Sequence, residues 1–240
     1  MSGFFMHRFF LPELPEQRFH ITNPDLIHQI RRVFRAKIGE SFIFFSVWTS
    51  DIVYELTDLS DKKISFLQKE VLPPSKYSAI YLTVFQAYPH KNEMLELVVQ
   101  KLVELGARRL VLFNSERSQK NDISSQKKLR IGKIAQEALE QSGGNLPLEL
   151  IYSQENMVDI FRENSGLMHI VGHPHDENFI NPTISVKNIW FWVGPEGGWS
   201  PAEEEFFHKN TFTFWKFNEH VLRLETASIA WSALLLYLAR

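Results

Sequence analysis

Residues 189–204 read IWFWVGPEGGWSPAEE and combine the signals of a strand, a tight loop and a helix in direct succession. The apolar run 189–193 predicts a buried strand. The three glycines of the loop allow a positive φ or a close approach of the backbone to a ligand. Ser200, Pro201 and Glu203 predict a helix start, as its N-cap, its first proline and its capping-box glutamate. The loop is therefore either a stiff turn without a ligand or part of a binding site.

Strands and helices alternate on both sides of this segment. Besides 189–193, the predicted strands are 80–85, 109–113, 148–151, 167–171 and 212–215. The spacing of apolar residues predicts helices at 93–105, 126–141, 155–163, 201–208 and 225–238. Such alternation is typical of an α/β fold, with a mainly parallel sheet that helices cover on both faces.

The N-terminal part of the chain follows a different pattern. Runs of β-branched and aromatic residues predict short strands at 41–47, 52–56 and 64–71. Two prolines at 73 and 74 then interrupt strand and helix alike, because proline lacks the amide donor. We therefore predict two domains, a β-rich domain of residues 1–74 and an α/β domain of residues 75–240.

The composition excludes several classes of protein. The chain has 240 residues, of which 44% are hydrophobic, and its 20 Phe and 6 Trp are typical of a globular protein and not of a disordered one. The absence of cysteine excludes disulfide frameworks, thiolate zinc sites and cysteine nucleophiles. Without an apolar run of about 18 residues or a secretory signal, the sequence predicts a cytoplasmic protein with no membrane span.

The net charge of −2 provides no overall attraction for a polyanion such as RNA. Basic residues are nevertheless concentrated in two local clusters. These are Arg31, Arg32, Arg35 and Lys37 in the first domain and Lys127, Lys128, Arg130 and Lys133 in the second. Each cluster is either a solvated helix face or a surface that binds RNA.

Three loops follow predicted strands at one edge of the α/β sheet. They are 172–174 (GHP), 194–198 (GPEGG) and 221–227 (VLRLETA). Taken singly, a histidine such as His173 is more often a loop residue or a support for a neighbouring binding group than a catalyst, and a local ion pair is one interpretation of Arg223 with Glu225. Ligands of parallel sheets bind beyond the carboxyl ends of the strands, so the three loops together predict one pocket.

Absent motifs narrow the ligand of this pocket. The sequence has neither a Gly-x-x-x-x-Gly-Lys-Ser/Thr loop nor a Gly-x-Gly-x-x-Gly motif after a strand, which argues against a nucleoside triphosphate or a dinucleotide. It also lacks Gly-x-Ser-x-Gly and His-Glu-x-x-His, so serine hydrolase and zinc protease activities have no support.

Several further motifs occur in order along the chain. They are 7–10 (HRFF), His28 with Arg31, Val33, Arg35 and Gly39, Lys91 with Glu93, 101–106 (KLVELG), 115–118 (SERS), 138–142 (ALEQS), 194–198 and 222–227 (LRLETA). Spread over both domains, this series resembles the family of ribosomal RNA small-subunit methyltransferase E, which belongs to the knotted SPOUT superfamily.

The resemblance implies a PUA-like β-barrel that binds RNA at the N-terminus, a C-terminal α/β domain with a deep trefoil knot, and a homodimer without metal. The implied reaction is methylation by S-adenosyl-L-methionine at N3 of a uridine in the 16S rRNA of the small ribosomal subunit, usually uridine 1498. The implied cofactor-binding residues are Gly172, His173, Pro174, Gly194, Pro195, Glu196, Gly197, Gly198, Val221, Leu222, Arg223, Thr226 and Ala227. The expected RNA-binding residues are Arg8, Arg31, Arg32, Arg35, Lys91 and Arg117.

Three positions depart from the family pattern. Asn218 and His220 stand where the family usually has glycine and arginine, and Gly144 stands where its members often have arginine. Asparagine tolerates the left-handed backbone, but a mostly neutral histidine does not replace the fixed charge of arginine.

Arg223 and Glu225 are the predicted catalytic residues. A sulfonium methyl group is already activated, so the protein has to align the reactants and deal with the proton of uracil N3. Arg223 would stabilise the uracil oxyanion or hold the RNA. Glu225, or alternatively Glu196, would accept the proton or orient Arg223. A purely structural alternative is that Glu225 stabilises the first turn of the last helix through the helix dipole.

Two other functions remain open on the sequence alone. A ribosome-associated RNA-binding protein would keep the fold without binding the cofactor. A knotted methyltransferase with another target would bind the cofactor and modify a different RNA base.

Overall fold

The computed structural model describes residues 6–47, 49–73, 80–118, 123–162, 168–173, 187–216 and 220–239. The chain forms two compact units, one of Met1–Lys76 with Leu139–Leu146 and one of Tyr77–Ala138 with Pro147–Arg240. The predicted boundary between residues 74 and 75 lies outside the described residues. The sequence does not predict that Leu139–Leu146 belong to the first unit, because the first of them continue the periodic pattern of a helix.

The N-terminal unit contains a five-stranded sheet that curls into a half-barrel. Its strands are β1 (Arg8–Phe10), β2 (Arg18–Ile21), β3 (Ser41–Phe45), β4 (Ile52–Leu59) and β5 (Ile64–Val71), in the order β1-β3-β4-β5-β2. A short helix, α1 (Pro24–His28), and a π-helical turn (Gln29–Val33) connect β2 to β3. The predictions for β3, β4 and β5 are confirmed, whereas β1 and β2 are too short to show a periodic pattern.

Aromatic side chains form the core of this unit. The Phe44 ring lies 5.0 Å from the Phe66 ring and 5.6 Å from the Tyr54 ring, measured between centroids, and meets both edge to face. All three side chains are buried. Burial raises the pKa of the Tyr54 hydroxyl, and this hydroxyl donates a hydrogen bond to the Pro15 carbonyl oxygen at 2.9 Å. The phenol is therefore a structural group of the core.

Arg8 of β1 anchors the segment Leu139–Leu146 within the same unit. Its guanidinium is joined to the Asp51 carboxylate by two hydrogen bonds of 2.9 Å. It also donates to three backbone carbonyl oxygens at 3.2–3.3 Å, those of Leu139, Glu140 and Gly144. The Arg8 side chain is only 10% exposed. Its charge is thus used inside the protein, although Arg8 was among the residues expected to bind RNA.

The same contacts give a physical reason for one departure from the family pattern. The carbonyl oxygen of Gly144 accepts from both Nη atoms of Arg8 at 3.2 Å. A Cβ atom at this position would lie 3.2 Å from Cδ1 of Leu139, so a side chain here would press against its neighbour. The glycine allows the close packing on which the Arg8 contacts depend.

The C-terminal unit contains a six-stranded sheet in which every neighbouring pair of strands is parallel. Its strands are β6 (Tyr81–Ala87), β7 (Arg109–Asn114), β8 (Glu149–Asn156), β9 (Met168–Gly172), β10 (Asn188–Val193) and β11 (Thr213–Trp215), in the order β11-β9-β10-β6-β7-β8. Its helices are α2 (Asn92–Leu105), α3 (Ser125–Ser142), α4 (Met157–Arg162), α5 (Pro201–Lys209) and α6 (Leu224–Leu238). The predicted α/β fold with a mainly parallel sheet is confirmed, while the trefoil knot stays a prediction.

Two details differ from the sequence prediction. β8 continues to Asn156, so residues 155 and 156, which were expected to start a helix, are strand instead. The polar run at 153–156 has no apolar alternation, and it is the pairing of β8 with β7 that holds it in the sheet. In the ranges that the structure describes, no helix is long and apolar enough to cross a membrane.

β6 and β10 lie next to each other in the middle of the sheet and place the binding loops. Trp192 and Phe85 stack with centroids 4.2 Å apart, and both are buried. Helix α6 is joined to β6 by a hydrogen bond of 2.6 Å from the Ser228 hydroxyl to Gln86 Oε1. Because both strands are rigidly packed, the loops that follow their carboxyl ends start from fixed positions.

We predict that Arg8→Ala lowers the free energy of unfolding by about 3 kcal/mol, because it leaves the Asp51 carboxylate, whose side chain is only 13% exposed, without its partner. The measurement is urea denaturation of the full chain followed by circular dichroism. The control is Arg31→Ala, because Arg31 pairs with Asp61, whose side chain is 81% exposed, and such a pair contributes less than about 1 kcal/mol. Equal losses in the two variants would contradict a structural role of Arg8.

Candidate functional site

A cavity of about 630 Å³ lies within the C-terminal unit, where the three predicted loops meet. The expected cofactor-binding residues that line it are Gly172, His173, Gly194, Pro195, Glu196, Gly197, Gly198, Val221, Leu222, Arg223 and Ala227. Thr226 does not line the cavity, and Pro174 lies outside the described residues. The single pocket inferred from separate stretches of sequence is therefore present in the fold.

The loop 194–198 owes its shape to two of its three glycines. Gly198 has a φ of +69°, in the left-handed region that favours glycine, and its amide closes a turn on the Pro195 carbonyl oxygen at 2.9 Å. A Cβ atom at Gly194 would lie 2.9 Å from the ring of Trp199, too close for any side chain. Gly197 is not among the glycines with positive φ, so its role is in packing.

The buried carboxylate of Glu203 holds this loop in place. Glu203 is 5% exposed and forms the capping box of α5, in which its Oε2 accepts from the Ser200 amide at 2.8 Å. Its Oε1 accepts from the Ser115 hydroxyl at 2.8 Å and from the Glu116 amide at 3.2 Å. One side chain therefore joins the start of α5 to the turn that follows β7. The sequence predicts the cap, but it contains no signal for the second contact.

Two side chains from neighbouring loops contact the loop 194–198 directly. Arg117 donates from Nη1 to the Gly197 carbonyl oxygen at 3.1 Å. The amide of His90 donates to Oε1 of Glu196 at 3.0 Å, and Nε2 of His90 lies 3.7 Å from Glu196 Oε2. The Glu196 carboxylate is thus engaged with the loop after β6, which makes it less available as a general base.

The loop 221–227 runs into the N-terminus of α6. Arg223 is the N-cap residue, its side chain makes no capping hydrogen bond, and it is exposed at the cavity. Oε2 of Glu225 is buried and has no hydrogen-bond partner among the residues described. The local ion pair considered for Arg223 and Glu225 is not found in this part of the structure. Both side chains line the cavity, as the prediction of a catalytic pair requires.

Aromatic residues that the sequence reasoning missed form one wall of the cavity. Phe191, Trp215 and Trp231 line it, with the two tryptophan rings 5.1 Å apart. Nε1 of Trp215 is buried and has no hydrogen-bond partner in the described ranges. Trp231 belongs to the apolar stripe of the last helix, and nothing in that stripe distinguishes a core residue from one that faces a cavity.

The residues expected to bind RNA have different surroundings. Arg31 forms an ion pair with Asp61, whereas Arg32, Arg35 and Lys91 are exposed. Arg117 lines the cavity, as does His220 at one of the positions that depart from the family pattern. Asn218, the other such position in this loop, lies outside the described residues.

On α5, the hydrogen bond and positive charge of Lys209 lower the pKa of the exposed Glu205.

No group of three or more His, Asp or Glu side chains that would hold a metal ion occurs in the part of the chain that the structure describes.

Comparison with known proteins places the chain in a family. Residues 76–236, which include every strand of the parallel sheet, match the family described as RNA methyltransferase domain. The chain belongs to this family. The resemblance to the ribosomal RNA small-subunit methyltransferase E family is likewise confirmed.

Individual relatives agree with this assignment. Ribosomal RNA small subunit methyltransferase E 2 of Borreliella burgdorferi is 33% identical over 148 residues, which are 58% of this chain and 59% of that protein. Ribosomal RNA small subunit methyltransferase E of Rickettsia conorii is 27% identical over 218 residues, covering 88% of this chain and 86% of the relative. The crystal structure of the Neisseria gonorrhoeae methyltransferase E bound to S-adenosyl methionine has 25% identity and a TM-score of 0.82, and the match covers 97% of this chain and 98% of that one.

We predict that Glu203→Ala lowers the free energy of unfolding by about 3 kcal/mol, because three donors, two of them in the buried residues Ser115 and Ser200, lose their acceptor. Glu203→Gln should lose less, since its amide oxygen still accepts from one side. The control is Glu205→Ala on the same helix, whose carboxylate is exposed and bonds only Lys209 among the described residues, and which should leave the denaturation midpoint unchanged. Denaturant titration compares the three variants, and a Glu203→Ala protein as stable as the control would disprove the bridging role.

Proposed function

We propose that this protein transfers a methyl group from S-adenosyl-L-methionine to N3 of a uridine in the 16S rRNA of the small ribosomal subunit, in the cytoplasm. The observation that carries the proposal is the meeting of loops 172–173, 194–198 and 221–227 at one cavity, in a chain of the RNA methyltransferase family. The relatives named as small-subunit rRNA methyltransferases support the substrate.

The cavity suits an adenosyl ligand. Its volume of about 630 Å³ lies within the range of about 300–1,000 Å³ that is usual for small-molecule sites. The aromatic wall provides apolar contact, and the loop glycines bring backbone groups close to the ligand. The buried Trp215 Nε1 and Glu225 Oε2 offer one donor and one acceptor that the described protein atoms leave unused. Such unpaired polar atoms are costly unless a ligand completes them.

When bound, the cofactor supplies an activated methyl group on its sulfonium. The protein's own part is to place the uracil, exclude water and remove the N3 proton. Arg223 is exposed at the cavity and has no ion-pair partner among the described residues, so its guanidinium is available for the developing oxyanion or for an RNA phosphate. Glu225 is our candidate for the proton acceptor, and the lack of a competing donor to its Oε2 among the described residues supports this role.

A homodimer is part of the proposal. Helices α2 and α6 pack against each other in the C-terminal unit. Leu97 on α2 is 41% exposed and Tyr237 on α6 is 69% exposed. Large apolar side chains at the surface of two packed helices favour association with a second copy of the chain. This agrees with the dimer that the family resemblance implies.

We predict that the purified protein binds S-adenosylhomocysteine with one site per chain and two sites per dimer. Gly198→Ala should weaken binding about tenfold, because an L-residue in the left-handed region costs about 1–2 kcal/mol. Gly132→Ala is the control, because no atom lies within 4 Å of the added Cβ in helix α3. Calorimetry measures affinity and light scattering measures mass. A folded protein without binding would favour the non-catalytic RNA-binding alternative, and a monomer mass at micromolar concentration would disprove the dimer.

We predict that Arg223→Ala reduces methyl transfer at least about 100-fold, because it removes a charge needed in the transition state. Cofactor affinity should change much less, since the loops bind mainly through their backbone. The assay follows labelled methyl transfer to unmodified small ribosomal subunits, with mapping of the modified base. Arg109→Ala is the matched control, since Arg109 pairs with Glu149 at the amino ends of the strands, opposite to the binding loops. Transfer by Arg223→Ala at the parental rate would refute the assignment.

A further inference from the structure

Arg117 is connected to the segment 194–203 in two ways, through its side chain and through the turn in which it lies. Its main chain lies in the turn 115–118, which is bonded to the Glu203 carboxylate through the Ser115 hydroxyl and the Glu116 amide. Its guanidinium bonds the Gly197 carbonyl oxygen at 3.1 Å. Both ends of the residue therefore depend on the segment that carries the loop 194–198.

The turn that carries Arg117 is itself well defined. The Ser118 hydroxyl accepts from the Ser115 amide at 3.0 Å and donates to the Ser115 carbonyl oxygen at 2.9 Å. The Ser118 amide also bonds the Ser115 carbonyl oxygen at 3.1 Å. These bonds close the turn on itself, so the position of the Arg117 backbone follows that of the Glu203 carboxylate.

The packing of Gly197 strengthens this connection. A Cβ atom at Gly197 would lie 3.4 Å from Cβ of Arg117 and 3.8 Å from its Cδ. The glycine is thus covered by the aliphatic stem of the arginine. A shift of the loop moves the carbonyl oxygen and the packing surface together, and both act on the same side chain.

Among the residues that the structure describes, no carboxylate pairs with Arg117. Among the described residues its guanidinium bonds only the neutral Gly197 carbonyl, and Arg117 is exposed and lines the cavity. By contrast, Arg109 pairs with Glu149 and Arg130 pairs with Glu96. A guanidinium with unused donors at this place suits a phosphate of the RNA backbone.

We propose that Arg117 is a positioning residue that links the loop 194–198 to the RNA, so that the cofactor and the RNA bind cooperatively. The inference rests on the proposed function, because it takes the ligand of the loop to be the cofactor. A cofactor bound against the loop 194–198 would hold the Gly197 carbonyl, and with it the Arg117 guanidinium, in the position where a phosphate of the substrate meets it. RNA bound to Arg117 would in turn favour the loop position that binds the cofactor, since such coupling is reciprocal.

The experiment measures the affinity of the full-length protein for an unmodified 16S rRNA transcript by filter binding at one salt concentration, with and without saturating S-adenosylhomocysteine. The affinity for S-adenosylhomocysteine is measured separately by calorimetry. For the parent protein we expect S-adenosylhomocysteine to raise RNA affinity about fivefold or more, which is the lower end of usual coupling. In Arg117→Ala, the ratio of the RNA affinities with and without S-adenosylhomocysteine should fall to within about twofold of one.

Two further variants distinguish the coupling of cofactor and RNA binding from the attraction of RNA by a positive charge alone. Arg117→Lys keeps the charge but lacks the planar fork that reaches a carbonyl and a phosphate together, so it should restore part of the RNA affinity and little of the ratio. Arg109 is the first residue of β7, the strand that leads to the turn of Arg117, and Arg109→Ala should keep the ratio of the parent protein.

The outcomes are distinguishable. If the parent protein binds S-adenosylhomocysteine and RNA independently, or if Arg117→Ala keeps the full ratio, the coupling role is overturned and the proposed function stands. If the parent protein binds no S-adenosylhomocysteine, the proposed function fails and the coupling role fails with it.

Discussion

The bonding of the Glu203 carboxylate is the constraint on which the candidate site depends. A carboxylate that is almost completely buried is tolerated only when donors surround it, and here the donors come from two different segments, the start of α5 and the turn after β7. These segments follow strands that are not neighbours, because β6 lies between β7 and β10. The bond network therefore spans the carboxyl end of β6, and the loop that follows β6 is attached through Glu196 and His90.

This arrangement explains why the short glycine loop 194–198 has a defined conformation although it has no hydrophobic core of its own. Gly198 adopts the left-handed backbone and Gly194 leaves room for the ring of Trp199. Trp199 in turn packs on Phe207 of α5, with centroids 4.8 Å apart. The loop is thus held by buried aromatic packing on one side and by hydrogen bonds on the other. All five residues of the loop line the cavity.

The basic residues divide into structural and available cations, and this division matters for a chain of net charge −2. Arg8, Arg31, Arg109 and Arg130 are each paired with a carboxylate. Arg117 and Arg223 have no carboxylate partner among the described residues, and both line the cavity. Since overall attraction for a polyanion is absent, the proposed recognition of RNA depends mainly on unpaired charge at the site.

The sequence alone determined the parallel α/β unit, the helix start at Ser200 and the three loops of the site, because these depend on local periodicity and on the backbone preferences of glycine and proline. It could not determine that Arg8 is buried against residues 139–146 or that Glu203 reaches the turn at Ser115, because those partners are distant in sequence. The aromatic wall was missed for a related reason, since Trp215 and Trp231 satisfy the patterns of an ordinary strand and helix. Only the folded chain decides which apolar side chains face a core and which face a cavity, and which charges are paired inside the protein.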